Sequence, residues 1–546
     1  MPMEAIVNKS VSVLYLHTKP NFWITISLLS VLERTCIPMA MAISTNLNLV
    51  LTLCIPTVLF LLFIRWLKEG RSLPPGPFGL PLLGNLPFLS PDLHRCFADL
   101  SRTYGPVMTI RLGCRPCVVL SSSSAAREAL RDNDLTFASH DVPAAALAAF
   151  NGINLVWNPY GPVWRMLRKM SVREVLSASS LEAVRPLRRR EVQRMVETIH
   201  AKEGSAVEVR ELVFLTTLSV MFGMLWGGTV SDEGVGNEFK AAMDGIMECL
   251  GKANVSDLFP VLAPLDIQGV AKQIVRFRDS YFRVFDSILE DRRNEMDANE
   301  GGGRDGKRDF LQVMLELLDK GADSQVPLKI DQVKGVFFDL VAGGTDTTST
   351  TVEWAIAEIL NNPDIMKKVQ DELDEVVGKN RCVEESDIPR LPYLNAVMKE
   401  VFRLHPVVPL LVPYSPSSSC TVGGFSIPKG TKVFINVWAI HREPSVWKDA
   451  LKFEPERFLR GNDKYDYSGN NFNYLTFGSG RRICPGIPLA ENMVMYLLAS
   501  LLHPFEWRLP KGTEMNLKEH FGIVLKKDKH LVAIPSGRLS KTIFSA

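Results

Sequence analysis

Apolar and polar positions along the chain first separate a front segment from a large body. Leu47 to Ile64 is almost wholly apolar, with Pro56 inside it. Roughly 17 to 25 such residues span a bilayer, and an internal proline is tolerated there. Arg65, Lys68 and Arg71 follow at once. The pattern therefore predicts a membrane anchor over residues 47–67, with the rest of the chain on the cytosolic side. Leu73-Pro74-Pro75-Gly76-Pro77 cannot continue a helix, and residues 68–85 read as a proline-rich hinge. In residues 1–46 the apolar run Phe22 to Leu32 is too short to span, and Met39 and Met41 stand just before the anchor. This front reads as an unstructured extension or an alternative start, with a targeting segment as the second reading.

Past the hinge, Tyr104 to Leu120 alternates and is rich in β-branched residues, which predicts two strands turned at Gly113. Helical spacing then dominates. The longest such pattern runs from Asp331 to Leu360; others cover Leu394 to Leu404 and the residues from about Ile487 onward. Residues 297–308 are polar and glycine-rich and read as a flexible loop. The expected fold is mainly α with a small β region, one body over residues 86–546.

Composition narrows the function. The formal net charge of +2 argues against a nucleic-acid binder. Nine scattered cysteines make no disulfide framework. Cys114 and Cys117 lack a second pair or a histidine cluster and read as packing residues. Asn254-Val255-Ser256 fits a glycosylation sequon that a cytosolic body would not use. No Gly-x-Gly-x-x-Gly followed by an acidic residue is present to bind a dinucleotide.

Two stretches carry chemistry. Phe477-Gly478-Ser479-Gly480-Arg481-Arg482-Ile483-Cys484-Pro485-Gly486 sets one cysteine in a glycine- and arginine-rich loop just before an apolar helix. A free thiol ionises near pH 8.5, so a thiolate at neutral pH needs a metal, nearby arginines or a helix N-terminus. Gly480 and Gly486 allow close backbone approach to a flat object, and Pro485 suits a helix entry. The second stretch, Ala342-Gly343-Gly344-Thr345-Asp346-Thr347-Thr348, is weak helix material inside the longest helix; each glycine costs about 1 kcal/mol relative to alanine. The Thr347 hydroxyl is placed to bond back to the Gly343 carbonyl, opening a small groove. Asp346 and Thr347 then offer an acid and an alcohol to manage protons.

The cysteine loop resembles the haem-binding signature of the cytochrome P-450 superfamily, with Phe477, Gly480, Arg482, Cys484 and Gly486 matching. The resemblance extends from about Leu47 to the end and is closest to plant microsomal members, as in Leu73 to Asn85 and Asn158 to Arg168. It implies haem b with its iron held by Cys484, and a propionate paired with Arg482. Trp164 and Arg168 match a Trp-x-x-x-Arg helix that holds a propionate. Glu400, Arg403 and Arg457 match a buried structural network, and Asp346-Thr347 an oxygen-activation motif. One departure stands out: Tyr414 occupies a position where plant members usually carry Arg or His. The pocket is expected to draw on Phe137 to Trp157, Phe337 to Gly343, Val407 to Val412 and Phe521 to Leu525. The resemblance implies a monooxygenase anchored in the endoplasmic reticulum membrane. It would use O₂ and electrons from an NADPH-dependent flavoprotein reductase. Arg165, Lys169 and Arg173 read either as part of a docking face for an acidic electron donor or as a merely solvated face. The expected substrate is a small apolar terpene or terpenoid, with a flavonoid second. A haem-thiolate isomerase or dehydratase, or a non-catalytic haem protein, is the reading from another class.

Overall fold

The computed structural model describes residues 73–540, apart from 228–232, 299–308, 320–326 and 460–464. The expected anchor at 47–67, the extension before it and most of the polar loop at 297–308 lie outside the described residues. Among the described residues, Val209–Trp226 is long and apolar enough to cross a membrane, but two thirds of it is buried inside the protein, as a core helix would be.

The compact body begins at Leu73. Leu73 to Asn85, expected as part of a hinge, is folded onto it. The Pro75 carbonyl accepts from Thr109 N at 2.8 Å, Asn85 N donates to Arg111 O at 2.7 Å, and the Asn85 side chain accepts from Arg111 N at 2.8 Å. Proline lacks an N–H but keeps its acceptor, so a proline-rich strap is still able to bond to a strand. Gly76 is needed there, because a Cβ would overlap the Thr109 carbonyl.

Helix α1 (Leu93–Tyr104) leads into strands β1 (Val107–Leu112) and β2 (Arg115–Leu120), an antiparallel hairpin turned at Gly113, which has φ 61°. β3 (Lys432–Ile435) joins β2 in parallel, with Val118 opposite Val433. The remaining sheets are small. β4 (Phe505–Arg508) and β5 (Val532–Gly537) pair antiparallel, with Val207–Glu208 on the far edge of β5. Everything else of consequence is helical: α2 (Pro162–Met170), α3 (Val209–Trp226), α4 (Val270–Ala298), α5 (Ile330–Asn361), α6 (Pro392–Leu404) and α7 (Ile487–Leu502).

α5 is the axis of the body. Gln332 accepts the Lys329 N–H at 2.9 Å near its start, and Asn362-Pro363 stops it. Most of its side chains are buried on every face, the pattern of a helix inside a large core. Its later half is tied by polar links: Trp354 Nε1 donates to Leu525 O at 3.1 Å and its ring stacks on His405, while Glu353 accepts Leu531 N at 2.7 Å. α3 crosses it where Gly344 lacks a side chain; a Cβ there would come within 2.7 Å of Met221 Sδ. Asn254 is buried and caps a short helix by accepting from Ser256 N at 3.0 Å, so the sequon asparagine is inside the fold. Cys117 is buried on β2 as expected, but Cys114 sits exposed at the hairpin turn.

Candidate active site

The Phe477–Gly486 loop is shaped by its backbone. Gly478 and Gly480 have φ of 76° and 69°, and a Cβ on Gly480 would meet Leu130 O at 2.5 Å. The loop closes when Cys484 N donates to Phe477 O at 3.0 Å, and Gly486 then caps α7. Phe477 packs edge-on against Phe402 of α6. The two arginines part company. Arg481 turns outward to Asp134 (2.8 Å) and to the Tyr160 hydroxyl (2.8 Å). Arg482 turns inward, under a shelf of backbone carbonyls: Nε donates to Ala138 O at 2.6 Å, Nη1 to Leu155 O at 3.3 Å and Nη2 to Asn158 O at 2.5 Å. Its guanidinium lies 4.4 Å over the Trp164 ring. Trp164 is itself held by Nε1 donating to Leu155 O at 3.1 Å, and Arg168 by a bond to Ile483 O at 2.6 Å.

Cys484, Gly486, Arg482, Arg168, Trp164 and Phe477 share one cavity wall with Gly343, Gly344 and Thr347 of α5. Burial lifts the Cys484 thiol above its ordinary value, while the Gly486 N–H and the Arg168 charge pull it down. Burial also lowers Arg168 and brings Arg482 down to about 10, with Arg168 opposing the Arg482 charge. The two partly buried cations beside the cysteine have no carboxylate partner among the described residues, and an iron porphyrin dicarboxylate would supply both the counter-charge and the metal. The residues fit haem.

Thr347 Oγ1 donates to Gly343 O at 2.5 Å, the four-residue bond that its spacing predicts, and the helix runs unbroken through it. Asp346 does not share that face. Residues adjacent on a helix point about 100° apart, and Asp346 is buried against Arg210 (2.5 Å) of α3 and Lys526 (3.0 Å). Asp346 and Thr347 are therefore not brought side by side at the cavity.

Behind the loop, Glu400 and Arg403 are fully buried and paired at 2.7 Å. Glu400 also accepts from Arg457 Nε at 3.1 Å and Glu454 N at 2.9 Å. Arg403 donates onward to the carbonyls of His441, Ala450 and Lys452, which fastens α6 to the segment preceding the cysteine loop.

Tyr414 is buried in the cavity wall, with its backbone bonded to Val433 in both directions. Burial keeps its phenol protonated. Its ring meets His140 edge-on at 5.1 Å. Sequence reasoning did not single out His140, whose Nδ1 bonds Val156 O at 2.8 Å and which burial and Arg482 push down to about 3. Leu176 and Met221 also line the cavity and were not foreseen. Phe521 to Leu525 does not reach the wall; Phe521 stacks on His94, and Leu525 N donates to Val407 O at 2.8 Å, bracing the wall from outside.

A helical body with a cysteine loop, two half-buried arginines and a helix threonine around one cavity defines a haem-thiolate oxygenase. The comparisons are specific. The cytochrome P450 family model matches residues 74–534, and the chain belongs to that family. A flavonoid 3'-monooxygenase of Crocosmia x crocosmiiflora is 39% identical over 88% of this chain and 96% of its own. Geraniol 8-hydroxylase of Catharanthus roseus is 39% identical over 90% and 99%. Carnosic acid synthase of Rosmarinus officinalis is 37% identical over 87% and 97%. Among solved structures, a zebra fish cytochrome P450 with progesterone superposes with a TM-score of 0.70 at 25% identity, covering 82% of this chain and all of that one. The protein is a plant-type P450 monooxygenase with a haem-thiolate cofactor.

Proposed function

We propose that this monooxygenase hydroxylates a terpene or terpenoid. The carrying observation is the cavity wall. Its ring side chains, His140, Trp164, Phe402, Tyr414 and Phe477, belong to the cation and cysteine side; away from them α5 adds Asp339 and three threonines to a lining that is otherwise mainly aliphatic, from Leu155, Val156, Met221, Leu340, Val408 and Val412 among others. Branched aliphatic walls suit a branched aliphatic ligand held by shape. A flavonoid ring would find no further aromatic face to stack on among the described lining residues. Geraniol 8-hydroxylase and carnosic acid synthase stand among the relatives, which supports the same reading.

Cys484 is the iron ligand. Burial raises its thiol, and the Gly486 N–H and Arg168 would stabilise the thiolate that holds the metal. Arg482, Arg168 and Trp164 would hold the propionates. Haem supplies the iron at which O₂ is reduced, one oxygen atom going into a substrate C–H bond and the other, with two electrons and two protons, leaving as water. Thr347 holds a proton at its hydroxyl in the groove. Asp346 stands behind it, and the partly exposed Lys526 links it to the surface, so it passes protons inward rather than touching substrate. The aliphatic wall keeps bulk water out. Electrons come from an NADPH-dependent flavoprotein reductase docking at the exposed Arg165, Lys169 and Arg173. Residues 47–67 anchor the chain in the endoplasmic reticulum membrane with this body in the cytosol.

The test is the carbon monoxide difference spectrum of the reduced protein beside Cys484→Ala, followed by a terpenoid and flavonoid panel with reductase and NADPH. A thiolate-type Soret band lost in the variant and terpenoid turnover support the reading. A band that survives in Cys484→Ala removes Cys484 as ligand, and turnover of flavonoids alone overturns the substrate class.

A further inference from the structure

A second cavity, of about 310 Å³, lies away from the haem site and is at the small end of the range for ligand pockets. The two cavities share α7. Ala490 and Val494 line the haem-side cavity, whereas Tyr496 and Ser500 line the second one. Val494 and Tyr496 are two residues apart, about 200° around a helix, so the cavities use different faces of α7. The helix Arg185–Ala201 supplies another wall, with Val192 and Val196 four apart on one row. Loop 380–384 closes the side, and its Val383 is buried.

Two polar groups in this cavity are unused. Tyr496 and Ser500 are 3% and 5% exposed, and they stand four apart on one face of α7. Among the described residues neither hydroxyl has a hydrogen-bond partner, and both oxygens are open to the cavity. A buried hydroxyl without a partner is unfavourable, and a ligand that bonds to it removes that penalty. Burial, Glu384 and Glu385 keep the Tyr496 phenol protonated, so it is able to donate. The charges at the mouth are already matched. Arg189 pairs with Glu384 at 2.7 Å and Arg381 with Asp387 at 2.6 Å, while Glu197 accepts from the Gln193 amide at 3.1 Å. An anion therefore meets no free guanidinium, and a cation meets two guanidinia. Burial also holds the Cys382 thiol up, so the wall offers no ready nucleophile.

We propose that this cavity is a second, reversible ligand site, taking a small uncharged molecule with an apolar body and a carbonyl or hydroxyl oxygen: the valines hold the body, and the Tyr496 and Ser500 hydroxyls bond the oxygen. The site stands whatever the enzyme oxidises. One ligand there touches the helix Arg185–Ala201, loop 380–384 and α7 together. α7 begins just after the cysteine loop, so binding braces the support behind Cys484.

The test uses the full-length haem-loaded protein with an azole inhibitor filling the haem cavity, so that a probe is not read there. Three probes share one ring: 4-hydroxyacetophenone is uncharged, 4-hydroxybenzoate anionic and tyramine cationic. Saturation-transfer NMR titrations give each Kd, and urea midpoints with and without probe show whether it binds the folded state. The uncharged ketone is expected to bind tightest and to raise the midpoint. Tyr496→Phe and Ser500→Ala should each weaken it by about 3- to 10-fold. Gln193→Trp, at an exposed position on the rim, should abolish binding and keep the carbon monoxide band. No saturable binding of any probe, the result for a notch that holds only water, overturns the site. Tighter binding of either charged probe overturns the ligand class. Affinity for the ketone that is unchanged in all three variants puts the probe elsewhere and overturns the site as well. Should Tyr496→Phe fail to load haem, Ser500→Ala and Gln193→Trp decide.

Discussion

The adjacent glycines of α5 make a paired experiment. Alanine at either position gains about 1 kcal/mol of helix propensity. The surroundings differ. A Cβ on Gly343 meets no protein atom within 4 Å, because that position faces the cavity. A Cβ on Gly344 would lie 2.7 Å from Met221 Sδ and 3.2 Å from its Cγ, and Met221 is buried. Overpacking of that kind costs about 1–3 kcal/mol, although methionine's flexibility keeps it toward the low end. Gly343→Ala should therefore be about 1 kcal/mol more stable than wild type, and Gly344→Ala between about 0 and 2 kcal/mol less stable. Function reverses the order. The Gly343 methyl takes up space where substrate and oxygen meet, and one methylene in an apolar pocket is worth about 1–3 kcal/mol, or 10- to 200-fold in kcat/KM. Urea unfolding of the haem-loaded proteins, followed at the Soret band, gives the stabilities. Initial rates with reductase, and the ratio of product to NADPH consumed, give the catalytic cost. If Gly343→Ala proves less stable than wild type, or keeps full kcat/KM, the position does not face the cavity and the groove assignment is wrong.

Three further outcomes follow from the geometry. Glu400→Gln leaves the Arg403 and Arg457 guanidinia short of a counter-charge and should cost about 3–5 kcal/mol; Glu400→Gln/Arg403→Met should cost clearly less than the sum of the single changes, and additivity within about 0.5 kcal/mol in the unfolding midpoints would dissolve the network. Asp339 binds its proton more tightly folded than unfolded, so its contribution to stability is complete below about pH 4 and is lost as pH rises through about 7. Relative to Asp339→Asn, the wild type should lose about 3 kcal/mol between pH 5 and pH 8, and parallel pH profiles of the two proteins would refute the shift. Arg481→Gln should lower stability by less than about 1 kcal/mol and keep haem, since Arg481 is partly exposed and pairs with Asp134, whereas Arg482→Gln should release haem at a lower denaturant concentration; equal haem retention would mean that the two arginines share one role.

What the chain revealed in advance is what local spacing controls. The longest helix was expected over Asp331–Leu360 and spans Ile330–Asn361, because its apolar positions run all round and Asn362-Pro363 ends it. The Thr347 bond to Gly343 is a four-residue relation, and the hairpin at Gly113 a two-strand one; both were legible. The unforeseen features depend on distant partners. Asp339 takes its orientation from Asn154, 185 residues away, and Asp346 from Arg210, 136 residues away. Nothing in the periodicity of α5 announces which polar side chain meets the cavity and which turns from it. His140 escaped notice for the same reason, since its place is set by contact with Tyr414 and a bond to Val156. Proline content suggested a hinge over 68–85, whose described part is folded onto the body, since proline forbids donating to a strand and not accepting from one.

That strap also bears on solubility. β1 is an edge of its three-stranded sheet, and an uncovered edge is a template for another chain's strand. Pro75 and Asn85 occupy Thr109 N, Arg111 O and Arg111 N, groups an intruding strand would need, and the prolines bring no N–H to extend the pairing. A chain shortened to begin at Leu73 keeps this guard. One shortened to Leu86 bares the edge, and it should form sedimentable aggregates during expression even though every haem-facing residue is intact.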